Sequence, residues 1–195
     1  MLCFRYGVMG SSKTMTLLMA AHNYDEQGKH VTLVKPSVDS RFGLNTITSR
    51  TGFERKVDVI LQPDDDVDIN ISGTDCVMVD EAQFLTRDQV DQLRCIAKCI
   101  PVVCFGLRTD YQCRLFEGSQ RLMEVADTIE EIKMECYFCR NKALVNMKFL
   151  QGVLITRGDR TPDLGGNEKY TPGCWDCWQK YKHDDLVCYT VASMV

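Results

Sequence analysis

One segment near the start, Gly7-Val8-Met9-Gly10-Ser11-Ser12-Lys13-Thr14, constrains the fold more than any other part of the chain. It follows directly on a short apolar run at 2–6 and opens a stretch of helical periodicity, the context in which a phosphate-loop pattern carries meaning. In such a loop, backbone N–H groups and the positive end of the following helix hold phosphate oxygens. The pattern assigns the β and γ oxygens to the Lys13 ammonium and a magnesium ion to the Thr14 hydroxyl. Gly7, Val8, Met9, Gly10, Ser11, Ser12, Lys13 and Thr14 are therefore the candidate nucleotide-binding residues. Ser12 stands where the pattern usually has glycine. A serine in left-handed backbone there costs about 1–2 kcal/mol, and the expectation is that Gly10 supplies the freedom that Ser12 lacks.

The rest of the first part alternates β-type apolar runs at 2–6, 30–35, 76–79 and 101–105 with helical stretches. That alternation predicts an α/β domain, a largely parallel sheet with helices on both faces. The first helix is expected over 13–26, with Leu17, Leu18 and Ala21 on one face and Gly28 at its stop. A second opens at Thr86, where Thr86 and Gln89 fit a capping box and Val90, Leu93 and Ala97 form the buried stripe. A third lies between Gly118 and Ala126. The aspartates at 64, 65, 66 and 68 lack the glycine and terminal glutamate of a calcium loop and read as a solvated acidic loop.

The run Cys76-Val77-Met78-Val79 ends in Asp80-Glu81, the form of the acidic strand that accompanies a phosphate loop. Asp80 is the candidate magnesium carboxylate, and Glu81 is placed to take a proton from an attacking hydroxyl.

Beyond about residue 134 the composition changes to paired cysteines, glycines and aromatics, so the boundary is drawn between a 1–133 domain and a 134–195 domain. A hairpin is expected within 143–155. Cys136-Tyr137-Phe138-Cys139 and Cys174-Trp175-Asp176-Cys177 are two C-x-x-C knuckles that together can close a tetrahedral four-cysteine zinc site. A unit this small needs such a staple, because its core alone buries too little. Cys3, Cys76, Cys95, Cys99, Cys104, Cys113 and Cys188 read as small core residues or incidental thiols, and His22, His30 and His183 show no ligand spacing.

A net charge of -4 without a basic stripe argues against non-specific nucleic-acid binding, which rests on clustered lysine and arginine. No apolar run approaches the roughly 18 residues of a membrane span, and residues 1–10 lack the pattern of a secretory leader. The expected location is the cytoplasm, where eleven cysteines stay reduced.

The early phosphate loop, Asp80-Glu81 followed by Ala82-Gln83-Phe84, and the two late knuckles together resemble the type II, cytosolic-type thymidine kinases. Lys35-Pro36-Ser37-Val38-Asp39-Ser40-Arg41 is similar to that family's K-P-x-x-D-x-R stretch, and Gly106-Leu107-Arg108-Thr109-Asp110-Tyr111 to its segment beside the nucleoside. Gly165-Gly166-Asn167-Glu168-Lys169-Tyr170 resembles the close of its lasso loop, which covers the thymine base. The resemblance implies a RecA-like phosphate-loop domain with a small zinc-stapled domain that carries the lasso. It implies transfer of the γ-phosphoryl group of ATP to the 5′-hydroxyl of thymidine, with deoxyuridine a further acceptor. It places Met9, Phe84, Leu107, Tyr111, Phe116 and Tyr170 around the nucleoside, Arg41 near the transferring phosphate and Glu81 as general base beside Lys13. It further implies one structural zinc, ATP with magnesium, a homotetramer and inhibition by thymidine triphosphate. Two rivals stand beside this reading: a phosphate-loop ATPase with a zinc-stapled nucleic-acid-binding module, and a non-catalytic nucleotide sensor that has lost turnover through Ser12.

Overall fold

The computed structural model describes residues 1–39, 43–158 and 169–183, with only the backbone of His183. β1 (Leu2–Tyr6) runs into the phosphate loop, followed by α1 (Lys13–Glu26) and β2 (Val31–Pro36). β3 (Thr46–Thr48) and β4 (Glu54–Lys56) pair as a short antiparallel hairpin, and β5 (Val59–Leu61) leads through an exposed acidic loop to β6 (Cys76–Val79). A 3-10 turn at Ala82–Phe84 precedes α2 (Arg87–Ile96), β7 (Val102–Gly106), α3 (Glu117–Val125) and β8 (Thr128–Glu131). The last elements are β9 (Val145–Leu150), β10 (Val153–Ile155), β11 (Tyr170–Gly173) and α4 (Trp175–His183).

Six strands form one sheet in the order β5-β2-β6-β7-β1-β8, and every neighbouring pair is parallel. Alternate side chains of the same strands feed two separate cores. Val31, Leu33, Cys76, Met78 and Phe105 pack with Leu17, Leu18 and Ala21 of α1. Leu2, Phe4, Val77, Val79, Val102 and Cys104 pack instead with Val90 and Leu93 of α2, Ala97 just beyond it, and Leu122 of α3. Helices therefore cover both faces, and each fully buried Leu or Val contributes about 1.5–3 kcal/mol of transfer free energy. The capping box at the start of α2 forms as read, with Thr86 Oγ1 accepting from Gln89 N and Gln89 Oε1 from Thr86 N.

Because the strands are parallel, the loops after β1, β2, β6 and β7 all leave the same edge of the sheet. That edge is where open α/β sheets bind ligands. A separate antiparallel sheet, β10-β9-β11, lies beyond β8, and α4 packs Trp178 against Val145 and Met147 of β9.

All four expected strands of the first part are found within a residue of their predicted limits, and α1 spans 13–26 as expected. Edge strands β5 and β8, the β3–β4 hairpin, β11 and α4 carry no expectation from the sequence. β5 is apolar but only three residues long, too short to be read as a strand by itself, and β8 contains two glutamates and shows no apolar pattern; each pairs with a neighbouring strand of the sheet. The aspartate-rich segment is an exposed loop, tied to α2 where Gln92 Nε2 donates to Asp66 Oδ1 at 2.6 Å.

Candidate active site

The loop after β1 turns through two left-handed residues, Gly10 at φ 80° and Ser12 at φ 62°, ψ 27°. This corrects the expectation about Gly10: it does not relieve Ser12, which adopts the left-handed conformation itself and carries whatever strain the serine side chain brings. Lys13 opens α1 and is 9% exposed; its Nζ donates to the carbonyls of Val8 at 2.8 Å and Gly7 at 3.2 Å, within the loop it closes. Ser11 Oγ is buried with no hydrogen-bond partner. A buried hydroxyl without a partner is costly; this one is packed against Gly7 and does not line the cleft.

Asp80 stands at the end of β6, buried, with Thr14 Oγ1 at 3.2 Å and 3.4 Å from its two carboxylate oxygens. Burial, together with the adjacent Glu81 charge, pushes its carboxyl up to about 7, against the pull of Lys13 and the Thr14 hydroxyl. A carboxylate and a hydroxyl sharing one spot make the oxygen donor set of a hard divalent cation, whose charge offsets the desolvation. Glu81 follows in left-handed backbone at φ 51° and starts the 3-10 turn. Phosphate loop, Asp80 and Glu81 line one cleft, and Lys35, Asp39 and Arg50 stand on its other wall. Lys35 and Asp39 form a buried ion pair at 3.2 Å, with Lys35 Nζ also donating to the carbonyl of Gly43.

Met9, Tyr111 and Tyr170 form a second buried cluster, with Leu107 and Ile155 packed against it. Met9 and Leu107 also line the cleft, so the two regions are continuous. Phe84 and Phe116 meet edge to face at 5.8 Å, half-buried, at the start of α3. Lys148 Nζ lies over the rings of Tyr111 and Tyr170, 5.1 Å and 5.8 Å from their centroids. Arg41 and the 165–168 segment lie outside the described residues.

Two residues without a role in the sequence reading join the parts of the site. Asn146 of β9 is buried and accepts the Met9 N–H through Oδ1 at 2.7 Å, linking the phosphate loop to the second sheet across 137 residues. Gln83 is 2% exposed; its Oε1 accepts Leu107 N at 2.9 Å and its Nε2 donates to Glu81 Oε2. No motif marks Asn146, whereas Gln83 sits inside the quoted Ala82-Gln83-Phe84 segment.

The sulfurs of Cys136, Cys139, Cys174 and Cys177 lie within 4.8 Å of one another. Backbone N–H groups of Phe138 and Cys177 point at the Cys136 and Cys174 sulfurs at 3.4 Å, the knuckle geometry that favours thiolate. Burial raises the Cys136 thiol, but N–H bonds from Phe138, Cys174 and Cys139 outweigh it and bring it down to about 7. The cluster fits a structural zinc ion.

Comparison with known proteins agrees over nearly the whole chain. A sequence model of the family described as Thymidine kinase matches residues 1–178. A thymidine kinase of Lactiplantibacillus plantarum is 41% identical, the match covering 89% of this chain and 92% of the relative. Thymidine kinases of Lactococcus lactis and Enterococcus faecalis are each 40% identical, with 89% of this chain and 94% and 91% of the relatives covered.

Proposed function

The chain belongs to the thymidine kinase family, and from that membership together with its cleft we infer that it transfers the γ-phosphoryl group of ATP to the 5′-hydroxyl of thymidine. The observation that carries this reading is the continuity of one cleft. Phosphate loop, Asp80 and Glu81 line it, and Met9 and Leu107 join it to the buried Tyr111 and Tyr170 rings. A nucleoside held against those rings presents its 5′-hydroxyl toward Glu81, while the triphosphate lies along the loop.

Residues 7–14 hold the phosphates through backbone N–H groups, with Lys13 facing their oxygens. Asp80 and Thr14 would hold magnesium, which neutralises charge on the phosphate oxygens when bound. Glu81 accepts the 5′-hydroxyl proton as the new O5′–phosphorus bond forms and the bond from the γ phosphorus to the β,γ-bridging oxygen breaks. Thymidine monophosphate and ADP result. Arg41 is assigned to charge on the transferring group by the family resemblance. Phe84, the last residue of the 3-10 turn, and Phe116, which meets it edge to face, are assigned as further walls of the nucleoside site by the family resemblance.

Cys136, Cys139, Cys174 and Cys177 hold one structural zinc per chain in this reading, and the second domain begins near residue 134. A homotetramer and inhibition by thymidine triphosphate complete the proposal on the strength of family resemblance.

Purified protein incubated with ATP, magnesium and each deoxynucleoside should yield thymidine monophosphate. DNA-stimulated ATP hydrolysis without a nucleotide product would instead support the ATPase reading, and binding without turnover the sensor. Glu81→Gln should lower kcat by about 10²–10⁴-fold while ATP and thymidine still bind by calorimetry. Unchanged turnover in that variant removes Glu81 as the base.

A further inference from the structure

We propose that Gln83 is a positioning residue that locks the Glu81 carboxylate to the nucleoside-side loop, through one buried amide bonded to Glu81 at one end and to Leu107 at the other. The proposal rests on Glu81 being the base. Its orientation follows from chemistry alone. The Leu107 backbone N–H can only donate, so the amide oxygen must face it, and the NH₂ group must then face Glu81.

The amide has little room to do otherwise. A Cβ at Gly106 would lie 2.8 Å from Gln83 Oε1 and 3.0 Å from Gln83 N, so the bare end of β7 lets the side chain lie flat against it. Leu107 is held from its other side, where Ser119 Oγ donates to its carbonyl. Glu81 sits in left-handed backbone at φ 51°, and its carbonyl accepts from Phe84 N at 3.0 Å. Such a conformation persists where neighbours over-determine it, and the Gln83 amide is a side-chain constraint on that carboxylate. One oxygen of Glu81 is thereby held by the amide. Leu107 packs with the Met9, Tyr111 and Tyr170 cluster. Nucleoside wall and base thus share one buried link, and a nucleoside seated on the wall meets the carboxylate in a set register. Displacement of a reacting group by about 1 Å costs on the order of 100-fold in rate.

Gln83→Glu keeps an acceptor for Leu107 N but removes the donor to Glu81 and repels it. Gln83→Met removes both bonds. Gln83→Glu should lower kcat by about 10- to 100-fold, with KM for ATP and for thymidine unchanged. Gln83→Met should lower kcat and also raise KM for thymidine, because Leu107 loses its anchor. The deciding measurement places Gln83→Glu in the Glu81→Gln background. Residual turnover should then fall no further, because no carboxylate remains at position 81 to be oriented, and the amide introduced there can donate to the carboxylate introduced at position 83. A full second loss of kcat in the double variant overturns the positioning role while leaving Glu81 as base. Unchanged kcat in Glu81→Gln alone removes the base and the positioning role together. Should Gln83→Glu fail to fold, Gln83→Asn, neutral and one methylene shorter, reads the same cycle.

Discussion

At the scale of single residues, the departure at Ser12 is resolved by backbone rather than by side chain. The phosphate loop needs left-handed turns at both Gly10 and Ser12, so serine occupies a position whose conformation favours glycine. Ser12→Gly should remove about 1–2 kcal/mol of strain, less about 0.4–1 kcal/mol for the greater freedom of glycine in the unfolded chain. The ligand-free protein should therefore melt up to about 6 °C higher, at the 2–4 °C per kcal/mol that suits a chain of this size. Gly10→Ala should shift it the other way, since its φ is 80° while the nearest atom to the new methyl, the Met134 terminal carbon, is an unstrained 3.5 Å away. Differential scanning calorimetry of the two variants reads both signs, and a lower melting temperature for Ser12→Gly would mean that the serine hydroxyl contributes more than its backbone costs.

At the scale of elements, the 3-10 turn at Ala82–Phe84 governs the site because α3 is pressed directly onto it. A Cβ at Gly118 would stand 2.5 Å from the Ala82 carbonyl oxygen and 2.7 Å from that of Leu85, both backbone atoms with no freedom to swing aside. Gly118→Ala should therefore push α3 off the turn, lower stability by about 1–3 kcal/mol and carry Phe116 away from Phe84. Urea unfolding should show the earlier midpoint, and the KM for thymidine should rise more than that for ATP. An unaffected midpoint would show that the close approach is not maintained in solution. The same turn begins at Glu81 and holds Gln83, so α3 supports the carboxylate through backbone contact with the turn.

At the scale of the whole molecule, the two sheets are joined where Asn146 of β9 accepts the Met9 N–H and Tyr170 of β11 packs with Met9 and Tyr111. β11 runs from Tyr170 straight into Cys174, and its neighbours hold it through Tyr137 N to the Pro172 carbonyl at 3.0 Å and Leu144 N to the Gly173 carbonyl at 2.7 Å. The cysteine cluster therefore anchors the strand that carries Tyr170. Freshly purified protein should contain one zinc per chain by metal analysis, and slow chelation or Cys136→Ser should raise the KM for thymidine several-fold before it affects ATP. Equal loss of both would mean that the cluster supports the phosphate loop as well, through the bond from Met9 N to Asn146.

Much of this is legible in the sequence alone, for a physical reason. The phosphate loop, the Asp80-Glu81 strand end, the capping box at Thr86 and the two cysteine knuckles are each encoded within a few consecutive residues, since their chemistry is local. The buried strands were readable because both faces of a parallel sheet are covered, which makes their sequences continuously apolar. What the residues in order do not reveal is who meets whom across the chain. β8, with two glutamates, is a strand because β1 offers it a free edge, and the three apolar residues of β5 are too short to be read as a strand until they pair with β2. The left-handed backbone at Ser12, the Gln83 amide bridging Glu81 to Leu107 and the Asn146 bond to the phosphate loop arise only when separate segments are packed together. Short-range chemistry was determined by sequence alone, whereas its alignment into one cleft was decided by tertiary contacts between residues as far apart as Met9 and Asn146.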